Sequence, residues 1–237
     1  MSMKKIYWYL MAVLAMVFSF NIYSINACAE TYVSTGEEVS ADHLMKGDEF
    51  ICEKYDLFKF RVVKTASESK NKYIQVEITG FNPSPKTKYT KKNYENVACE
   101  DYYLEDYEIV GIADNAFRDN QMIKKFIVYS APLKYIGKSA FEGCTNLRYF
   151  SISDTDSLKM IKERAFYGCK SMYKFELKGN KLKRVGNDAF RDTRSVMMKI
   201  VGFDMNSKHM KKLKSLFKKA GGKNVIGRHF KPARCLK

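Results

Sequence analysis

The sequence predicts a β-rich solenoid of about four short coils, closed by an N-terminal β cap and by a C-terminal amphipathic helix. A motif repeats four times at nearly constant spacing, strand-like alternation precedes it, and a helical periodicity follows it. The phenylalanines of the motif are 24, 25 and 24 residues apart, at Phe117, Phe141, Phe166 and Phe190. Units this short cannot enclose their own apolar side chains, so they must stack on one another.

The repeated motif extends well beyond its phenylalanine. The four copies read IADNAF, IGKSAF, IKERAF and VGNDAF, and each is followed by apolar residues that end in a strand pattern of the form Leu-x-x-Phe-x-Ile. In such a strand the named positions face inward and the intervening positions face outward. The third position after each phenylalanine is occupied by Asn120, Cys144, Cys169 and Thr193.

The segments FEGCTNLRYFSI and FYGCKSMYKFEL resemble the BspA-type leucine-rich repeats of bacterial surface proteins. The resemblance implies a short leucine-rich-repeat array over residues 112–203, and proteins of this type are associated with adhesion to host matrix proteins and other cells. The first and last copies depart from the pattern, because Asn120 and Thr193 replace cysteine and Lys199 replaces the inward phenylalanine. Terminal units of a solenoid are expected to be atypical.

Residues 1–29 have the pattern of a secretory signal peptide. Lys4 and Lys5 precede an apolar stretch at 6–20, and Ala27-Cys28-Ala29 offers a cleavage site between Ala29 and Glu30. The apolar stretch of fifteen residues is shorter than the roughly 20 that a spanning helix needs. Cleavage is therefore favoured over a permanent anchor, and also over lipid attachment at Cys28. We expect a secreted or cell-surface protein with no stable membrane span.

Between the signal and the repeats we predict a leader at 30–45 and an N-terminal β cap at 46–111. Residues 73–78 alternate between apolar and polar side chains, as a half-buried strand does. Such a cap would cover the open edge of the first coil, which otherwise invites pairing with another molecule.

Residues 204–237 predict a basic helical cap and tail. Residues of one helical face recur at spacings of three and four, namely Met210, Leu213, Leu216, Phe217 and Ala220, and six lysines lie on the other faces. The apolar face could cover the last coil. Alternatively, the helix could lie on anionic membranes or wall polymers, which would make the protein a cationic secreted effector.

The charge is uneven along the chain. Residues 30–113 contain eleven basic and sixteen acidic residues, residues 114–203 contain eighteen and nine, and residues 204–237 contain eleven and one. This polarity predicts an anionic partner. Nucleic acid is disfavoured as that partner by the secretion signal and by the lack of a recognition motif.

No pattern indicates an enzyme, a cofactor or a metal. The three histidines are scattered at positions 43, 209 and 229, and the sequence contains no nucleophile elbow, phosphate-binding loop or paired C-x-x-C motif. Cys144 and Cys169 occupy one repeat position, and we predict two buried thiols there. A disulfide between Cys52 and Cys99, both in the β cap, is left open at this stage.

The outward positions of the repeats are the candidate ligand surface. The first strand of each coil contributes Lys125, Tyr129, Tyr149 and Lys174, and the second contributes Lys134, Tyr135, Lys159, Lys183 and Arg184. Surface lysines commonly serve only solubility, but lysines repeated from coil to coil also suit a linear anion site. We therefore predict a non-catalytic adhesion module that binds a protein or an anionic polymer, such as a host matrix protein or a cell-wall polymer.

Overall fold

The computed structural model describes residues 31–33, 38–39, 43–52, 56–70, 72–85, 88–100, 106–129, 131–152, 157–178, 181–194, 197–201, 208–222 and 224–227. The predicted signal at 1–29, its cleavage point between Ala29 and Glu30, and the tail at 228–237 lie outside these residues. Most of the predicted leader at 30–45 lies outside them as well.

Within the described residues the chain forms two β-sheets and two helices. The nine-stranded sheet contains, in spatial order, β13 (Arg184–Val185), β11 (Met160–Ile161), β9 (Tyr135–Ile136), β7 (Tyr107–Ile112), β5 (Ile74–Phe81), β4 (Phe58–Lys64), β3 (Glu49–Cys52), β1 (Thr31–Val33) and β2 (Glu38–Val39). The six-stranded sheet contains β15 (Asn224–Gly227), β14 (Met197–Val201), β12 (Lys174–Lys178), β10 (Tyr149–Ile152), β8 (Lys125–Tyr129) and β6 (Asn96–Glu100). The helices are α1 (Lys91–Glu95) and α2 (Lys208–Lys219).

Each copy of the repeat contributes one parallel strand to each sheet. In the six-stranded sheet Phe126, Phe150 and Phe175 are direct cross-strand partners. In the nine-stranded sheet Ile136 pairs with Ile161, and Ile161 pairs with Val185. Because each copy pairs in register with the next, inward positions stay inward from coil to coil. The predicted fold class, a β-rich solenoid with a C-terminal helix, is confirmed.

Two columns of phenylalanine rings fill the interior. Phe117, Phe141, Phe166 and Phe190 stack with centroids 5.2 Å apart. The rings of the six-stranded sheet form the second column, with spacings of 5.6 and 5.4 Å. Rings of one column meet rings of the other edge to face, at 5.0 to 5.4 Å. Both arrangements are favourable for aromatic pairs, so the columns supply a continuous core.

The turns that follow β7, β9, β11 and β13 require left-handed backbone at two repeat positions. The residue two before each phenylalanine has a φ of 54 to 61°, at Asn115, Ser139, Arg164 and Asp188. The residue two after it has a φ of 56 to 73°, at Asp119, Gly143, Gly168 and Asp192. Glycine, asparagine and aspartate tolerate this conformation best, which explains why Gly or Asp recurs after Ala-Phe.

The alanines of the second, third and fourth Ala-Phe pairs each link their coil to the preceding one. The amide nitrogens of Phe117, Phe141 and Phe166 each donate to the alanine carbonyl of the next coil at 2.8 Å. Phe190 donates in the same way to the carbonyl of Ala220, which follows helix α2, also at 2.8 Å. The end of the helix therefore takes the place that the alanine of a further repeat would occupy.

The repeated cysteines are buried thiols, as predicted, and they also donate hydrogen bonds. Cys144 Sγ donates to the carbonyl of Phe117 at 2.9 Å, and Cys169 Sγ donates to that of Phe141 at 3.0 Å. Burial raises the pKa of the Cys144 thiol to about 12 and also raises the pKa of Cys169. The repeat pattern predicted only an apolar role for these residues. The two carbonyls also accept from the backbone amides of Asn120 and Cys144, at 3.1 and 3.2 Å, so each thiol is a second donor that links neighbouring coils.

The disulfide left open between Cys52 and Cys99 is not formed in the structure. Both residues are buried as thiols. Cys52 ends β3 in the nine-stranded sheet, whereas Cys99 lies in β6 of the six-stranded sheet. The sequence placed both in one β cap, but the strands of that region divide between the two sheets.

The N-terminal region covers the first coil and also continues both sheets. Strands β3, β4 and β5 are antiparallel, and buried residues alternate along β4 and β5. Strand β5 then pairs in parallel with β7, and β6 pairs in parallel with β8. The rings of Phe58 and Phe81 pack on Phe117 at 6.1 and 5.0 Å. The first ring of the column is thus shielded from water.

Helix α2 covers the other end of the array. Met210, Leu213, Phe217 and Ala220 are at most 1% exposed, and Leu216 packs partly against the core. The ring of Phe217 contacts Phe190 at 5.5 Å and Phe175 at 6.1 Å. Most of the helical lysines are exposed, namely Lys208, Lys211, Lys212, Lys218 and Lys219. The prediction of a helical cap with its lysines facing outward is confirmed.

Replacing Phe166 with alanine tests the columns. Its ring is fully buried and contacts four others, so we expect Phe166→Ala to lower the free energy of unfolding by about 3–5 kcal/mol. The control is Tyr173→Ala, which removes a ring that is 52% exposed and should cost under about 1 kcal/mol. Urea denaturation measures both, and equal losses would contradict a core built on stacked rings.

Gly168 tests the left-handed turn. A Cβ at this position would have room, since the nearest atom is the Gly143 nitrogen at 3.8 Å, but φ is +70°. We expect Gly168→Ala to destabilise the protein by about 1 kcal/mol through backbone strain. Gly168→Asn should cost less, because aspartate occupies the equivalent positions 119 and 192. Thermal melts that rank asparagine below alanine would refute this explanation.

The carboxylate of Glu142 makes stability depend on pH. Arg164 donates to it twice, at 3.1 and 2.5 Å, and this contact outweighs burial and lowers the pKa of Glu142 to about 2 from an ordinary 4.5. The stabilisation is fully present above pH 4.5 and is lost as the pH falls from 4.5 to 2. We therefore expect Glu142→Gln to flatten the loss of melting temperature in that window. Glu163→Gln, at an exposed ion pair with Lys138, should leave the curve unchanged.

Candidate functional site

The predicted surface residues lie on two sheets and form two surfaces rather than one. Lys125, Tyr129, Tyr149 and Lys174 belong to β8, β10 and β12 of the six-stranded sheet. The remaining five, Lys134, Tyr135, Lys159, Lys183 and Arg184, lie along the nine-stranded sheet, on β9 and β13 or immediately before β9, β11 and β13. The two groups must therefore be considered separately as sites.

On the six-stranded sheet, Tyr149 lies between two lysines. Tyr149 pairs across the sheet with Lys125 on one side and with Lys174 on the other. The ammonium nitrogens of Lys125 and Lys174 lie 5.7 and 4.6 Å from the centroid of the Tyr149 ring. Both distances are within the range of a cation–π interaction. The parallel register thus places two ammonium groups around one aromatic ring.

A depression of about 400 Å³ opens beside this ring. It is lined by Lys125, Tyr149 and Lys174 together with Asn96, Lys124, Arg148 and Tyr173. Lys124, Arg148 and Tyr173 were not predicted as surface residues, since strict alternation points the residue before an outward one inward. Asn96 was not predicted because it belongs to β6, which precedes the repeats. Strands β8, β10 and β12 begin at Lys125, Tyr149 and Lys174. The residue before each of these lies outside the strand, so the alternation of a strand does not apply to it. The available signal was that Lys124, Arg148 and Tyr173 all follow a repeat phenylalanine by seven positions.

The depression carries an excess of positive charge. Lys124 pairs with Glu95 at 2.9 Å, and Lys174 pairs with Glu176 at 3.0 Å. The hydrogen bond from Lys124 lowers the pKa of Glu95. Burial opposes the charge of Lys174, but Glu176 outweighs it and raises the pKa of that ammonium. Within the described part of the chain, Lys125 and Arg148 form no ion pair, whereas Lys124 and Lys174 each do.

The tyrosine and first lysine of the nine-stranded surface are already engaged by acidic residues. Tyr135 donates to Glu77 Oε2 at 2.8 Å, and burial together with the charge of Glu77 raises the pKa of the phenol. Lys134 lies 3.5 Å from Glu108. Lys159, Lys183 and Arg184 are exposed. Lys134, Lys159 and Lys183 therefore lie on successive coils, but the charge of Lys134 is partly neutralised by Glu108.

The chemistry that these surfaces offer is binding through cations and aromatic rings. In the ranges that the structure describes, no group of His, Cys, Asp and Glu side chains is arranged to hold a metal ion. No helix in those ranges is long and apolar enough to cross a membrane. Tyr129, at the end of β8, is half-buried and does not line the depression.

Comparison with known proteins gives one family. The model of the BspA type leucine rich repeat region matches residues 88–216 with six copies. No curated protein matches the chain. The six copies exceed the four that the motif alone gave.

Two crystal structures are similar to this chain. A leucine rich repeat protein of T. pallidum is 20% identical, with a TM-score of 0.45, over 72% of this chain and 62% of its own length. This chain thus spans less than two thirds of that protein. A leucine-rich repeat protein from Bacteroides capillosus is 16% identical, with a TM-score of 0.42, over 60% of this chain and 91% of its own.

The family match covers more than half of the 237 residues and includes all four Ala-Phe coils. The coils that it spans stack in parallel register around the phenylalanine columns. The chain therefore belongs to the BspA-type leucine-rich repeat family.

Proposed function

We propose that this protein is a secreted or cell-surface adhesion module that binds an acidic region of an extracellular protein through the six-stranded sheet. Leucine-rich repeat proteins commonly mediate protein binding and are typically non-catalytic. The specific partner, the cellular location and the binding surface are our proposal. Host matrix proteins are the class of partner that we favour.

The observation that carries the proposal is the pair of cations at the depression, Lys125 and Arg148, which form no ion pair with any residue in the described ranges. Lys125 and Arg148 come from adjacent coils and lie beside Tyr149, which has an apolar face and a hydroxyl group. Tyrosine and arginine are the residues that most often dominate binding energy at protein interfaces. Charges of one sign also steer an acidic partner toward the surface.

The predicted signal peptide supports an extracellular location. Residues 1–29 combine a basic start, a short apolar stretch and a small-residue cleavage site before Glu30. The strongly basic residues 204–237 would add attraction to anionic wall polymers. Release of the protein from cells by moderate salt would support such retention.

An effector that acts on membranes through helix α2 has less support. The apolar face of that helix packs on Phe190 and Phe175 and is buried. Insertion into a membrane would require the helix to leave the array and expose the last coil. Its exposed lysines could still contact an anionic surface through screened charge attraction alone.

Paired charge reversals test the proposed surface. We expect Lys125→Glu with Arg148→Glu to weaken capture of matrix proteins by the mature protein at least tenfold, because each change replaces attraction with repulsion. The matched control is Lys159→Glu with Lys183→Glu, which alters net charge equally on the nine-stranded sheet and should change affinity less than threefold. Surface plasmon resonance against immobilised fibronectin, fibrinogen and collagen measures both.

Two results would contradict the proposal. Equal losses for the two double variants would mean that net charge, and not this surface, drives binding. Undiminished capture by the Lys125 and Arg148 variant would place the binding surface elsewhere.

A further inference from the structure

We propose that the depression on the six-stranded sheet is a subsite for an aromatic side chain that carries an oxyanion, namely a sulfated or phosphorylated tyrosine of the protein partner. The inference rests on the proposed function, since it names the group that the same surface recognises.

The cations of the depression are held in place before a ligand arrives. The Tyr149 ring holds the ammonium groups of Lys125 and Lys174 at 5.7 and 4.6 Å. The Tyr149 hydroxyl donates to Glu176 Oε2 at 3.1 Å, and the same oxygen accepts from Lys174 at 3.0 Å. Side chains that are already fixed lose less conformational freedom on binding. Tyr149 is therefore a positioning residue for both lysines.

The volume of the depression is sufficient for one ring with one charged group. Its volume is about 400 Å³, which is at the small end of pockets that hold small ligands. Tyr149 forms one part of its lining, and Tyr173, whose side chain is 52% exposed, forms another. An incoming aromatic ring can stack on or meet the edge of either tyrosine.

The type of cation favours a tetrahedral oxyanion over a carboxylate. Arg148 presents a planar fork of donors, which suits two oxygens of a sulfate or phosphate ester. The ammonium of Lys125, on the neighbouring strand, can then contact a third oxygen. A carboxylate has two oxygens, whereas a sulfate or phosphate ester offers three to donors that approach from different sides.

Two acids near the depression disfavour a long anionic polymer. Glu95 pairs with Lys124, and Glu176 pairs with Lys174 and hydrogen-bonds to Tyr149. A polysaccharide sulfated along its length would bring further charges close to these carboxylates, and like charges repel. A peptide with a single oxyanion can place it between Lys125 and Arg148 and keep neutral residues beside the acids.

Fluorescence anisotropy with three labelled peptides tests the subsite. The peptides share one neutral sequence of ten residues and differ only in a central tyrosine, which is unmodified, sulfated or phosphorylated. We expect the mature protein to bind both modified peptides at least tenfold more tightly than the unmodified one, because charge-assisted hydrogen bonds form only with the oxyanion. Raising the salt concentration should reduce this preference.

Single variants assign the preference to the proposed residues. Lys125→Gln and Arg148→Gln should each reduce binding of the sulfated peptide about tenfold, whereas Lys159→Gln on the other sheet should not change it. Tyr149→Phe keeps the ring beneath both lysines and should stay within threefold of the unmodified protein. Tyr149→Leu removes the ring and should lose about tenfold, with the melting temperature of each variant recorded to confirm folding.

Three outcomes would overturn the inference. Equal affinity for the sulfated and unmodified peptides would exclude an oxyanion subsite. A heparin fragment that displaces the sulfated peptide at a lower concentration than the peptide itself would identify a polysaccharide site instead. A loss with Lys159→Gln that matches the loss with Lys125→Gln would show attraction by net charge alone.

The test separates this inference from the proposed function. If the Lys125 and Arg148 charge reversal abolishes capture of matrix proteins while the peptides show no preference, only the inference fails. If the peptides show the preference while that reversal leaves protein capture unchanged, the proposed function fails and the oxyanion subsite stands.

Discussion

The fold depends on the agreement between two distances. Neighbouring strands of a sheet lie about 4.8 Å apart, and the repeat phenylalanines stack at 5.2 Å. Because the two distances nearly coincide, each coil brings its ring into contact with the next without distorting the ladder. A column of this kind has an open face at each end, and water would reach it. Phe58 and Phe81 close one end, and Phe217 closes the other.

The remaining repeat positions hold each ring in its column. Left-handed residues turn the chain, the alanine carbonyl accepts the amide of the preceding coil, and the thiols of Cys144 and Cys169 donate to the carbonyls of Phe117 and Phe141 in the preceding coil. All of these requirements concern the backbone or the interior. The outward side chains are therefore free to differ from coil to coil, and recognition depends on them.

The distribution of acids decides which outward side chains can bind. Acids of the N-terminal region neutralise the nine-stranded surface in part, since Glu77 accepts from Tyr135 and Glu108 pairs with Lys134. On the six-stranded sheet Lys125 and Arg148 form no ion pair with the residues that the structure describes, and they lie beside the Tyr149 ring that orders two lysines. A surface whose cations lie outside ion pairs suits an acidic partner better than one whose charges are already paired.

The sequence by itself determined the coil, the inward residues, the helical cap and the buried thiols. Burial imposes one chemical requirement on equivalent positions, so Phe141 and Phe166 repeat visibly in the sequence. Only the tertiary structure decided the site, because outward residues carry no such requirement. Arg148 and Tyr173 line the depression because they directly precede β10 and β12 and lie outside those strands. Glu95, which pairs with Lys124, is 29 positions earlier in the sequence. The placement of Cys52 and Cys99 on different sheets and the use of Ala220 in place of a repeat alanine likewise depend on how distant segments pack.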